Sequence, residues 1–390
     1  MRDIMRFSRL EWGSRVIRHR RFGLIAAFLC MPAAAISQAG PDAFGPDGPY
    51  VEAKGGGWVA RVAGGGSDVP VRAGGAIDIA AVGRVPAFRV KLRPPAVPSP
   101  DVLTLGEAAQ MFVMADTHGE YEIMVELLQA QKIIDRKLGW SFGRGHMVVT
   151  GDIFDRGPHQ LQILWLLYKL EDEARKAGGG LHIVLGNHEA MIVRGDLRYL
   201  HPRHAGTAAA LGHQNYADLF DASTLLGVWL RSKPSLFRID DMLFAHGGVS
   251  PDLAKSGMNL SDINLRLRAV LDWRKDGPRL SGQDALLAGE AGPLWYRGYF
   301  STPGNTKYGP VLGDGEVSQA LAVFGARRIF VGHTPQEHAN LLFGGKVAAV
   351  HVYPECDKDG KPVIEAAIRL RGVWQVADAL GARKTFPESR

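Results

Sequence analysis

Short apolar runs that stop at a polar residue recur through the middle of this chain. Met111 to Ala115, His146 to Thr150, His182 to Leu185, Met242 to Ala245 and Arg328 to Val331 are brief and mostly apolar, and they predict strands buried on at least one face. Between them, Glu122 to Ile134 and Gln160 to Lys176 space their apolar residues as amphipathic helices do. Strands alternating with helices predict an α/β fold in which the polar residues gather at the strand ends. Before this region, from Gly40 to about Pro100, Gly and Pro break the chain into β-like pieces such as Trp58 to Val62 and Phe88 to Leu92. These pieces predict a small β-rich segment, closed by a stiff linker at Pro94, Pro95, Pro98 and Pro100. Residues 101–390 form the main domain, with less regular stretches at 190–240 and 252–300. Helical pieces there, Ser223 to Arg231 and Ser261 to Trp273, predict a cap or side lobe.

Composition fits this picture, since 46% of the 390 residues are hydrophobic and a sizeable core can form. The charge changes it. Residues 1–39 combine seven arginines, an apolar run from Phe22 to Ala35 and the small-x-small triplet Ser37-Gln38-Ala39, which together predict a signal peptide. An uncleaved anchor is the rival; the run of about 14 residues falls short of the roughly 20 needed to span a bilayer. Removing seven arginines and two acids takes the net charge from +6 to +1, so the basic balance belongs to the leader and gives no reason to expect a nucleic-acid partner. The expected location is periplasmic or secreted, with no stable membrane span after cleavage. Of the two cysteines only Cys356 would remain, as an unpaired thiol.

The strand ends carry the chemistry. Asp116 and His118 follow the first strand, Asp152 the second, Asn187 the third, His246 the fourth and His333 the fifth. A sheet that delivers carboxylates, an amide and imidazoles to one edge builds a polar site there. Mixed oxygen and imidazole donors suit manganese, iron or zinc. Two such ions overcome the charge of a phosphate ester, which otherwise repels a nucleophile, and supply hydroxide near neutral pH. Any one of these residues alone is more often a turn former, a helix cap or a structural histidine; six after five strands in consistent order argue for a site.

The segments "ADTHG" (115–119), "GDIFDRG" (151–157), "GNHE" (186–189), "HGG" (246–248) and "VGHT" (331–334) resemble the signature blocks of the phosphoprotein phosphatases, which are calcineurin-like metallophosphoesterases. The stretches "WSFGRGH", "LWLLYKLE", "RGDLRYL" and "GPLWYRGYF" are similar to those of the Shewanella-like branch. The resemblance implies a β-sandwich flanked by helices and two bound metal ions. It implies that Asp116, His118 and Asp152 hold the first ion, and that Asp152 bridges to a second completed by Asn187, His246 and His333. It makes His188 the general acid, oriented by Asp155, and Arg156 the grip on the phosphate. Arg297 is either a second phosphate-binding arginine or a surface ion pair. The implied reaction is one-step hydrolysis by hydroxide held between the ions.

The expected substrate is a phosphorylated protein or peptide, or a small phosphate ester, with phosphotyrosine suggested by the branch and phosphoserine or phosphothreonine possible. Two other readings stand beside it: a symmetrical dinucleoside tetraphosphate hydrolase, which shares all five blocks, and a non-catalytic module stabilised by metal. Trp295, Tyr296 and Tyr299 offer rings for an aromatic substrate, though core packing is their commoner use. Ala115 stands where many relatives have Gly, and residues 351–390 match no block.

Overall fold

The structure is a computed structural model that describes residues 46–387, apart from 73, 95–96, 107–108 and 274–276. The predicted signal peptide lies outside the described residues.

Two six-stranded sheets face each other. In the first, Met111–Met114, His146–Val149 and Gly180–Ile183 run parallel, and Glu365–Leu370, Val373–Asp378 and Arg383–Thr385 extend the sheet antiparallel from its Met111–Met114 side. In the second, Met242–Ala245, Arg328–Val331 and Val347–Ala349 run parallel. Leu236–Ile239 and Asn340–Leu342 flank them antiparallel, and Val102–Leu103 closes the edge.

The strand sequences follow from this layering. Successive side chains point to opposite faces, and both faces of the parallel strands are covered, so most of their positions are apolar. Met111, Val113, Val148, Phe244, Phe330 and Ala348 fill the space between the sheets. Their neighbours Phe112, Met114, Met147, Val149, Leu243, Ile329 and Val331 face outward into a second cluster built with the helices. Phe330 meets Trp374 of the opposite sheet at 4.6 Å between ring centroids, and stacks on Phe244 at 5.3 Å. This is the expected α/β sandwich flanked by helices.

Most predicted elements appear with shifted ends. The second helix spans Gln160–Lys176 as expected. The first, Tyr121–Ala130, stops four residues before Ile134, because Lys132 turns into the left-handed region at φ 60° and the amides of Ile133 and Ile134 turn back to Leu128. The third predicted strand begins two residues early, at Gly180. The pieces expected at 223–231 and 261–273 are helices Leu225–Arg231 and Leu260–Leu271, each capped by the side chain before it, Thr224 and Asn259. Residues 47–91 form a three-stranded and a two-stranded antiparallel sheet. The first of these seats Pro49 on the main domain, where its carbonyl accepts the indole N–H of Trp165 at 2.9 Å. No helix among the described residues is long and apolar enough to cross a membrane.

Candidate active site

All six predicted metal-binding residues converge where the parallel strands of both sheets end. Asp116, His118, Asp152, Asn187, His246 and His333 are each at most 4% exposed. His118 Nε2 lies 3.9 Å from Asp116 Oδ2 and 3.8 Å from Asp152 Oδ2. His246 Nε2 lies 3.1 Å from Asp152 Oδ2 and 2.9 Å from Asn187 Oδ1. The other ring nitrogens are occupied by backbone: His118 Nδ1 by the Phe154 carbonyl at 2.9 Å, His246 Nδ1 by the Thr150 carbonyl at 2.6 Å. Nδ1 therefore donates, and the Nε2 lone pair is turned to the centre, the orientation a metal-binding imidazole needs.

These side chains fit metal ions by two further observations. Buried Asp116 Oδ2 and His333 Nε2 have no hydrogen-bond partner in the protein, a costly state unless a ligand completes them. Two triads, His118 with Asp152 and His188, and Asp152 with His246 and His333, bring their donor atoms within 4.8 Å of one another. The field agrees. Burial disfavours a charged His246, yet Asp152 and Asp116 outweigh it and push its pKa up to about 9, so the cavity stabilises positive charge. Burial, with His246 and Arg297 adding to it, holds His333 neutral, down to about 2.

The backbone is bent to build this cluster. Asp116, His118, Asp152, Asp155, Arg156 and His333 all have φ between 24° and 70°, a left-handed region that non-glycine residues rarely adopt and that concentrates at functional sites. Two glycines make room: a Cβ on Gly332 would stand 2.4 Å from Asp116 Oδ1, and one on Gly186 would stand 2.2 Å from Asp152 Oδ1. Glu189 ties the loops together. Its carboxylate accepts the amides of Gly186 (2.6 Å), Asp152 (2.9 Å) and Ile153 (2.7 Å). That role is legible only in three dimensions, although the residue belongs to the "GNHE" segment.

His188 opens the helix Asn187–Arg194, and its amide donates to Asp152 Oδ1 at 3.0 Å. Its Nδ1 meets Asp155 Oδ2 at 2.5 Å. Burial opposes charge on this imidazole, but Asp152 and Asp155 together raise its pKa above the ordinary value. Asp155 is itself held by Gln160, whose Oε1 accepts the Asp155 amide at 2.8 Å.

A cavity of about 430 Å³ lies over the cluster, lined by His118, Asp152, His188 and His333 below and by Arg156 and Arg297 at its sides. Arg297 does not make a surface ion pair. Its Nη1 donates to the His333 carbonyl at 2.9 Å and to Thr334 Oγ1 at 3.1 Å, which anchors the guanidinium beside the cluster. Arg156 lies between the rings of Tyr199 and Tyr353, 5.8 and 5.6 Å from their centroids.

Of the aromatic residues singled out in the sequence, Tyr296 and Tyr299 are core residues. Tyr299 Oη hydrogen-bonds the backbone of Val249 from both sides. Trp295 packs edge-on against His333. The tyrosine that lines the cavity is instead Tyr308, while Tyr199, from the stretch "RGDLRYL", and Tyr353 pack against Arg156 beside it. His351 was also missed: it is 2% exposed, lines the cavity and lies 2.9 Å from Asp116 Oδ2.

Comparison with known proteins agrees with this geometry. The family model for calcineurin-like phosphoesterases matches residues 110–337. A crystal structure of the cold-active protein-tyrosine phosphatase of a psychrophilic Shewanella species superimposes with a TM-score of 0.75 at 34% identity, covering 87% of this chain and 99% of that one. Shewanella-like protein phosphatase 1 of Plasmodium berghei is 25% identical over 58% of this chain and 61% of its own length. The symmetrical bis(5'-nucleosyl)-tetraphosphatase of Vibrio cholerae is 32% identical over 32% of this chain and 42% of its own length. The chain thus spans less than two thirds of each of these last two relatives.

Proposed function

This chain belongs to the calcineurin-like phosphoesterase family and is a metallophosphoesterase, and we propose that it acts as a protein phosphatase that prefers phosphotyrosine. The observation that carries the reading is the single cavity in which His188, Arg156 and Arg297 stand around the Asp and His cluster. Its volume suits one phosphoryl group with part of its leaving group.

When bound there by Asp116, His118, Asp152, Asn187, His246 and His333, two metal ions supply positive charge against the phosphoryl oxygens and lower the pKa of water. The donor set suits manganese, iron or zinc. The side chains do the rest. Arg156 and Arg297 neutralise the outer phosphoryl oxygens, and a planar guanidinium can engage two at once. His188 passes its Nε2 proton to the departing phenolate or alkoxide, while Asp155 holds Nδ1–H and stabilises the charged ring. Glu189 keeps Asp152 in place through both turns that carry the cluster.

Support for a tyrosine substrate comes from the Shewanella relative and from Tyr308, which lines the cavity and gives an aromatic leaving group a ring to pack against. The leader in residues 1–39 supports a periplasmic or secreted location. Steady-state turnover of a phosphotyrosine peptide, the same peptide with phosphoserine, and a dinucleoside tetraphosphate tests the reading. The expected order of kcat/KM is phosphotyrosine, then phosphoserine, then dinucleotide. A dinucleotide in first place would transfer the protein to the second reading, which the Vibrio relative favours.

A further inference from the structure

The tail beyond residue 350 matches no motif, yet it places an imidazole in the metal cluster. Val347–Ala349 is a sixth strand ending at this edge, parallel to Arg328–Val331. It delivers His351 two residues past its end, the same offset at which Met111–Met114 delivers Asp116 and Arg328–Val331 delivers His333. The sheet fixes this placement. The Val350 amide donates to the Val331 carbonyl at 3.0 Å, and the His351 carbonyl accepts the Gln336 amide at 2.8 Å.

His351 is 2% exposed, and neither ring nitrogen has a hydrogen-bond partner in the protein. An imidazole always carries at least one N–H, so a buried ring with both nitrogens idle is a costly arrangement. Nδ1 lies 2.9 Å from Asp116 Oδ2 without the alignment of a hydrogen bond, and that oxygen is equally unpartnered. Donor atoms of Asp116, His118 and His351 all lie within 4.8 Å of one another.

We propose that His351 is a ligand of the first metal position, which thereby gains two imidazoles and two carboxylates from His118, His351, Asp116 and Asp152. The inference rests on the metallophosphoesterase reading and deepens it. A fourth protein donor closes one position that water would otherwise fill. A second imidazole also tilts selectivity from manganese toward zinc or iron, since nitrogen donors follow the rising order of divalent affinity more steeply than oxygen donors do.

The test uses full-length protein stripped with a chelator, then titrated with Zn²⁺ alone by calorimetry, with bound metal counted by mass spectrometry. Wild type is expected to take two ions. His351→Ala is expected to weaken one of them by at least about 10-fold, the lower bound for losing even an outer partner of a metal ligand, and to lose it on dialysis. His351→Asp, which restores a donor, is expected to recover two. His351→Leu, which fills the space without a nitrogen, carries the test if the alanine variant fails to fold. Wild-type affinity at both positions in His351→Ala or His351→Leu overturns the assignment. A wild type that takes up no metal overturns the metallophosphoesterase reading along with it, so the two failures are distinguishable.

Discussion

Asp152 is the residue on which the site converges: Oδ2 faces His118, His188 and His246, while Oδ1 accepts the His188 amide. Asp152→Asn removes the charge shared by all of them, and no measurable phosphatase activity is expected in initial-rate assays. His188→Asn leaves the cluster intact and removes the proton donor. It is expected to lower kcat by roughly 10² to 10⁴ while metal content by mass spectrometry stays at the wild-type value; a fully active variant would overturn the assignment. Glu189→Gln sets an amide N–H₂ against backbone N–H groups that need an acceptor. A loss of about 1 to 3 kcal/mol in urea denaturation is expected, together with weakened metal binding. The residues named by the sequence were those whose chemistry is declared by type and position after a strand. Glu189, Tyr199 and His351 were not so declared, because their roles consist of what they touch.

At the scale of elements, the strands were the most legible part, since burial on both faces leaves few polar positions to blur the run. Val347–Ala349 escaped notice although "VAAVH" follows the same template of apolar residues ending in a ligand. At three residues it is too brief for periodicity to register. Helix ends were less legible, because what ends Tyr121–Ala130 is a left-handed Lys132 with no glycine or proline to announce it. Between the sheets, Phe330 is 1% exposed, stacked on Phe244 and tilted against Trp374. Phe330→Ala is expected to cost about 3 to 5 kcal/mol in denaturant unfolding, and to affect turnover only through the folded fraction. Leu265, on an outward helix face at 68% exposure, should change stability by less than about 0.5 kcal/mol when replaced by alanine.

For the molecule as a whole, acid is the expected weakness. His182 and His146 lie ring to ring with Nε2 and Nδ1 3.0 Å apart, so one proton can bridge them but two repel. Burial, and then His146, hold His182 down at about 3 in the folded chain, against about 6.5 unfolded. The unfolded state therefore binds more protons below pH 6.5: this contribution is complete above that pH and is lost as pH falls toward 3. The melting temperature should drop between pH 7 and 5, and His182→Asn should flatten that dependence. A sequence determines local matters by itself: which runs are apolar on both faces, which residue types follow them, and hence that a two-metal phosphoesterase site was being assembled from Asp116, Asp152 and His246. Tertiary structure alone decided which side chains share the cavity. His188, Arg297 and His351 are far apart in the chain, and only the packing of two sheets, with glycines where a Cβ would collide, brings them to one edge.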